Sequence, residues 1–408
     1  MPEPDARTER LDAVTARWLV DDAGRDAIAR ARDGLDGGRG ELAVVSDLRS
    51  LGLDPGRTAA VVSAAHAAGR IPAGLAQRGE LVFTRAALEQ ASDPDVATWR
   101  ARRFADRVVA DVGCGAGSDL LALADSARVV VGIDRDPARA VLARHNVGSA
   151  GSDAHVVVGD GLALPVRAQA VHADPSRRFG GRRARSLAGY DPPVARLLSA
   201  TSATAVGIVV SPAVSWSDPD LPPDAEVEFV QRGWDLVEGM LWLGGVRRSG
   251  ARATATLLSS GGDPVTRSRT SAAGIADELP TGDVGSVLLE IAPAAVRARL
   301  HDSIGVEVGA WRLARTRALL TADSPPPPSP WFRTWHVEAS LPARPRAVRA
   351  WLRTAEAQPL EIATSGFDAD PDAWWRELGR PPRGPQGRRL LLVRLDKGGT
   401  ALVLARSN

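Results

Sequence analysis

VVADVGCGAGSD, residues Val108 to Asp119, runs from a β-branched pair through Asp111 into Gly113, Gly115 and Gly117 on alternate positions, and LLALA follows. That order predicts a strand, a glycine turn and a helix start. Glycines here let the backbone bend sharply and let a ligand lie against bare peptide, where any Cβ would collide with it. Two nucleotide-like cofactors use such a turn. A dinucleotide fingerprint wants a third glycine three residues after the second, and that position is Ser118. GxGxG, with Asp111 two residues ahead, suits S-adenosylmethionine better: its cationic amino and sulfonium groups favour a nearby carboxylate, and it has no phosphate to place on a helix N-terminus.

Downstream runs extend the pattern. RVVVGIDRD closes on Asp134, about 20 residues past the first glycine, the separation at which a carboxylate takes a ribose diol in doubly wound sheets. AHVVVGDG closes on Asp160 and AVHADP on Asp174. In an open parallel sheet ligands sit outside the carboxyl ends of the strands, so Asp111, Asp134, Asp160 and Asp174 are expected to converge on one crevice.

These residues resemble the class I S-adenosylmethionine-dependent methyltransferases over about residues 100–215. The resemblance implies a Rossmann-like α/β sheet in which Gly113, Gly115 and Gly117 cradle the methionine part, Asp134 holds the ribose hydroxyls and Asp160 the adenine amine. The order of parts is similar to a bacterial group with a helical N-terminal region and a small C-terminal α+β, THUMP-like domain. The expected division is therefore 1–100, 101–323 and 331–408, with SPPPPSP, Ser324 to Pro330, as a stiff linker.

Methyl transfer from a sulfonium is a direct displacement, so the protein mainly aligns nucleophile and methyl. Family members that methylate base nitrogens often carry an Asp or Asn, two prolines and an aromatic after the fourth strand. Asp174 and Pro175 match and are the expected catalytic pair; Ser176 and Arg177 depart from the pattern. Arg177, Arg178 and Phe179 are the candidate substrate contacts, and Arg182, Arg183 and Arg185 continue a basic loop suited to RNA phosphates. Phe179 or Trp216 is an alternative stacking face.

Composition bounds the rest. A chain of 408 residues, 44% apolar and 25% charged, is globular and suggests two or three domains. A lone cysteine, Cys114, excludes a disulfide framework and fits a reducing cytoplasm; no run approaches a membrane span, and no Cys/His cluster suggests zinc or another metal. Net charge is +2, and Lys397 is the sole lysine among 51 basic residues, so arginine clusters count for less here than usual. Residues 1–100 show helical periodicity with a cap candidate at Thr84. The C-terminal region departs from its THUMP-like relatives by carrying Ala363, Thr364 and Ser365 after Glu361-Ile362, leaving Arg380, Arg383, Arg388 and Arg389 as its basic candidates. The expected activity is a methyltransferase on RNA, with small-metabolite methylation and non-catalytic RNA binding as alternatives, and an NAD-linked dehydrogenase the weakest.

Overall fold

Seven helices come first: α1 (Ala13–Leu19), α2 (Asp22–Asp36), α3 (Glu41–Ser50), α4 (Pro55–Ala68), α5 (Ala73–Ala76), α6 (Arg85–Glu89) and α7 (Pro94–Ala101). Their starts are set locally. Asp12, Asp21, Asp54, Thr84 and Asp93 each accept backbone N–H groups from the first turn, and proline occupies the first turn of α4 and α7. The computed structural model describes residues 11–163, 167–179, 182–184, 186–259, 263–270, 279–315, 318–356, 359–379, 388–395 and 398–406. Arg185, Arg380 and Arg383 lie outside the described residues.

The sheet that follows alternates with helices as the sequence predicts: β1 (Val108–Val112), α8 (Ser118–Ala124), β2 (Val129–Asp134), α9 (Pro137–Ser149), β3 (Ala154–Val158), β4 (Ala170–Ala173), α10 (Val194–Ala200), β5 (Ala205–Val210), β6 (Glu226–Arg232) and β7 (Asp235–Gly244). Within this unit the strands lie in the order β3-β2-β1-β4-β5-β7-β6. β1 pairs in parallel with β2 and β4, β2 with β3, and β4 with β5; β7 returns antiparallel on β5. The order reverses between β1 and β4, and a crevice opens at such a switch point beyond the carboxyl ends of the strands.

Helices and sheet share one apolar core. Leu19, Ile28 and Val61 from the helices belong to the same buried cluster as Val109, Leu120, Leu142 and Trp242. Asn146 of α9, fully buried, stitches them: its Oδ1 accepts the Val82 N–H at 2.7 Å, and its Nδ2 donates to the carbonyls of Val82 and Ala116 at 3.1 and 2.9 Å. Asn146→Ala leaves those backbone groups buried without partners. It is expected to cost about 3 kcal/mol of unfolding free energy, read from urea denaturation.

Two compact units divide the chain, one from 1–230 with 237–249, the other from 231–236 with 250–408. The second unit holds β8 (Ala251–Leu258), β9 (Val265–Thr270), β10 (Val287–Ile291), α11 (Pro293–Arg297), α12 (His301–Glu307), β11 (Trp311–Arg312), β12 (Leu319–Ala322), β13 (Phe332–Pro342), α13 (Pro345–Thr354), β14 (Pro359–Ser365), α14 (Pro371–Leu378), β15 (Arg388–Leu395) and β16 (Gly398–Arg406). Seven of these strands form one sheet, β11-β12-β10-β13-β16-β15-β14. β10 is hydrogen-bonded antiparallel to β12 on one side and β13 on the other, so the strands flanking Ser324–Pro330 belong to one body. Leu288 of β10 packs in one cluster with Leu391, Val393, Leu402 and Leu404.

Candidate active site

β1 delivers the glycine turn to the crevice, and β2 holds it there. The N–H groups of Gly113 and Cys114 donate to the Ile133 carbonyl at 2.8 and 3.2 Å. Gly113, Gly115 and Gly117 all have positive φ, +83°, +57° and +89°, a conformation costly for residues bearing a Cβ. A Cβ on Gly115 would meet no protein atom within 4 Å, so the turn fronts open space; one on Gly117 would press on the α9 backbone at Ala143, 3.3 Å away.

Asp134, the last residue of β2, braces this turn. Its Oδ2 accepts the Gly115 N–H at 2.9 Å and its Oδ1 the Asp136 N–H at 2.8 Å, while the residue is 5% exposed. Burial pushes its carboxyl above the ordinary range, against the pull of those two hydrogen bonds. Each oxygen keeps a second lone pair for a ligand hydroxyl. Asp160, two residues past β3, is exposed and caps its own turn by accepting the Leu162 N–H at 2.9 Å.

Asp111 sits differently from Asp134, Asp160 and Asp174, which stand at or beyond the ends of their strands. It lies inside β1, in register with His172 of β4, whose Nδ1 is 2.7 Å from Asp111 Oδ1, and both residues are buried. Asp111 Oδ2 and His172 Nε2 are buried without hydrogen-bond partners among the described residues. Phe104 meets the imidazole edge-on at 5.8 Å.

Asp174 follows β4, and its carbonyl oxygen lies 3.9 Å from where a Gly113 Cβ would stand. No hydrogen bond from the described residues reaches its half-buried carboxyl. Desolvation first, then the charges of Asp119 and Glu238, push that carboxyl up to about 7, against the pull of Arg100 and His172. Pro175 is buried, and Ser176 exchanges both backbone hydrogen bonds with Asp191, at 3.0 and 2.9 Å. That pairing lays Tyr190 beside the corner, where its hydroxyl accepts the Ser211 N–H at 2.9 Å. The Arg177 carbonyl accepts the Ala184 N–H; Arg178 and Phe179 form a two-residue ladder with Arg182 and Arg183, and their side chains lie outside what is described. Trp216 packs on the buried Phe229, ring centroids 6.0 Å apart.

Sequence reading missed the buried charges next to this corner. Arg100 of α7, 2% exposed, donates through Nη1 to both Glu238 oxygens at 2.6 Å and through Nη2 to Asp119 Oδ1 at 2.6 Å and Ser92 Oγ at 3.0 Å. Burial works against its charge, but Asp119 and Glu238 outweigh it and hold the guanidinium above its ordinary range. Behind them Arg103 bridges the fully buried Glu226 and Glu228, each at 2.7 Å, and Trp242 donates to Glu228 at 2.7 Å. His172 had one available signal: it stands two residues before Asp174, and alternation along β4 places such residues on one face.

A β-α sheet in the order 3-2-1-4-5-7-6, with a glycine turn after its first strand, defines the class I methyltransferase architecture. Residues 109–174 match a methyltransferase domain and residues 332–407 a THUMP domain-like family. An uncharacterized S-adenosylmethionine-dependent methyltransferase of Mycobacterium tuberculosis, from strain H37Rv and again from strain CDC 1551, is 33% identical over 79% of this chain and 87% of its own. The solved structure of a Porphyromonas gingivalis W83 protein described as a methyltransferase matches 97% of this chain and 99% of its own, with a TM-score of 0.74 at 19% identity. The chain belongs to the S-adenosylmethionine-dependent methyltransferases. Its turn fits that cofactor: Gly115 leaves room against bare backbone, and Asp111, two residues before the first glycine, keeps one buried oxygen without a hydrogen-bond partner among the described residues.

Proposed function

We propose that the protein methylates RNA, with Asp174 and Pro175 at the reacting corner and with Arg177, Arg178 and Phe179 as substrate contacts. Gly113, Gly115, Gly117 and Asp111 would hold the methionine end of the cofactor, Asp134 the ribose and Asp160 the adenine. Bound S-adenosylmethionine supplies an electrophilic methyl on a sulfonium. Beside it, the Asp174 carboxylate would take the proton that the nucleophile gives up. The observation that carries this reading is Asp174 itself, a carboxyl without a hydrogen-bond partner among the described residues, beside the turn, with proton affinity near neutrality.

RNA is favoured by the C-terminal unit. α13 buries Val348 and Leu352 and carries Arg346, Arg349 and Arg353 along one flank at i, i+3 and i+7, the first and last exposed and Arg349 half-buried. None of the three has an ion-pair partner among the described residues, and such a row suits successive phosphates. The THUMP-like resemblance points the same way. Among the described residues no helix is long and apolar enough to cross a membrane. With a single buried cysteine, the chain suits work in the cytoplasm.

The test is filter capture of labelled methyl groups on total bacterial RNA by the full chain. Wild type is expected to label RNA, and replacing Arg346, Arg349 and Arg353 together by glutamate to cut labelling by about tenfold or more, since each lost phosphate contact also flattens the salt dependence. A wild-type protein that binds cofactor but labels no RNA would redirect the search to small molecules.

A further inference from the structure

β1, which carries the glycine turn, and β4 bury one pair of polar side chains between them. Asp111 of β1 stands in register with Gly132 of β2 on one side and His172 of β4 on the other, so the three residues share a face of the sheet. Bare Gly132 leaves room there for the turn. Cys114 folds back over it, its sulfur 3.0 Å from where a Gly132 Cβ would stand, and the turn thus reaches the strand position next to Asp111. His172 is held from its far side. It is in register with Gly207 of β5, and Phe104, whose ring would meet a Gly207 Cβ at 2.8 Å, stands edge-on to the imidazole at 5.8 Å. An ionised carboxylate only accepts, so His172 Nδ1 donates to Asp111 Oδ1 across 2.7 Å and fixes the rotation of that carboxylate. Asp111 Oδ2 is left buried with no donor among the described residues. Asp134 differs, since backbone N–H groups reach both of its oxygens.

We infer that His172 is a positioning residue for the methionine end of the cofactor: it holds Asp111 so that Oδ2 receives the ammonium group. The inference rests on the reading that Asp111 and the three glycines of the turn hold that end of S-adenosylmethionine. The cofactor carries two cationic groups, and only the ammonium has N–H bonds to give; the sulfonium has none. A buried acceptor lacking a donor is costly, and a charged donor relieves it best. His172 acts through Asp111, not by contact with the reacting atoms.

Calorimetric titration of the full-length protein with three ligands separates this role from general support of the sheet. They are S-adenosylmethionine; S-adenosylhomocysteine, which keeps the ammonium but has no sulfonium; and methylthioadenosine, which lacks the amino-acid end. His172→Leu removes the donor and is expected to weaken the first two by about tenfold, the order of one hydrogen bond to a charged group, while methylthioadenosine stays within about twofold of wild type. His172→Asn places an amide N–H where Nδ1 stood and should restore most of the loss; His172→Gln places its N–H where Nε2 stood and should not. Equal weakening of all three ligands, unchanged affinities in His172→Leu, or a loss confined to S-adenosylmethionine would each overturn the inference, the last by assigning the pair to the sulfonium. Asp111→Asn tells the two readings apart. If it leaves all three affinities unchanged, the reading of Asp111 itself falls; if it weakens the two amino-acid ligands while His172→Leu does not, only the role of His172 falls. Should His172→Leu not fold, the Asn and Gln variants decide, and equal affinities in those two overturn the inference. Failure of all three His172 variants to fold would overturn it in favour of a purely structural pair.

Discussion

Asp174→Asn is expected to lower methyl transfer to RNA by about a hundredfold to ten-thousandfold, the range contributed by a positioned general base, while S-adenosylmethionine binds as before. The amide keeps the shape of the carboxyl and removes its capacity to take the nucleophile's proton. In wild type the proton-accepting form is the carboxylate, and the group is held up at about 7. Activity should therefore fall about tenfold for each pH unit below that midpoint and level off above it. Asp174→Asn should flatten that acid limb as well as lower it. Single-turnover labelling across pH 5–9, with cofactor affinity measured in parallel, checks both parts. Full activity with an unchanged acid limb would remove Asp174 from the chemistry.

The second large effect is expected at the turn. Gly115→Val should raise the dissociation constant for S-adenosylmethionine by about a hundredfold or more, a loss of at least about 2.7 kcal/mol. Two causes act together. A β-branched residue at φ +57° is a conformational outlier, so the turn shifts and its N–H leaves Asp134. The new side chain also fills the open space in front of the turn. Because that space touches no protein atom, the fold itself should largely survive, and thermal unfolding without cofactor should move by only a few degrees. Calorimetric titration against wild type measures the difference; affinity within threefold would mean the cofactor does not lie against this glycine.

What the sequence made legible follows from the range of each signal. The strand–turn–helix at 108–124, the alternation through 210 and the cap at Thr84 are written in neighbouring residues, and the structure repeats them almost residue for residue. The charges beside Asp174 come from distant places. Arg100 meets Asp119 19 residues away and Glu238 138 residues away, and no local spacing marks such a meeting. Asp111 shows the opposite hazard. Its distance from the first glycine reads as a ligand position, yet only strand register reveals that His172 lies opposite and engages one of its oxygens. The pairing of Val287–Ile291 with Phe332–Pro342 across the proline run is equally invisible to local reading, since stiffness is a local property and strand pairing is not.

That pairing governs how the molecule can be dissected. Cutting at residue 331 severs Val287–Ile291 from Phe332–Pro342 and takes four of seven strands out of their sheet. The shortened piece would present a raw row of backbone donors and acceptors to its neighbours, an invitation to clump in the tube. Loss of function after such a truncation would report stickiness before it reported substrate recognition, so surface substitutions on α13 are the cleaner way to ask what the tail does.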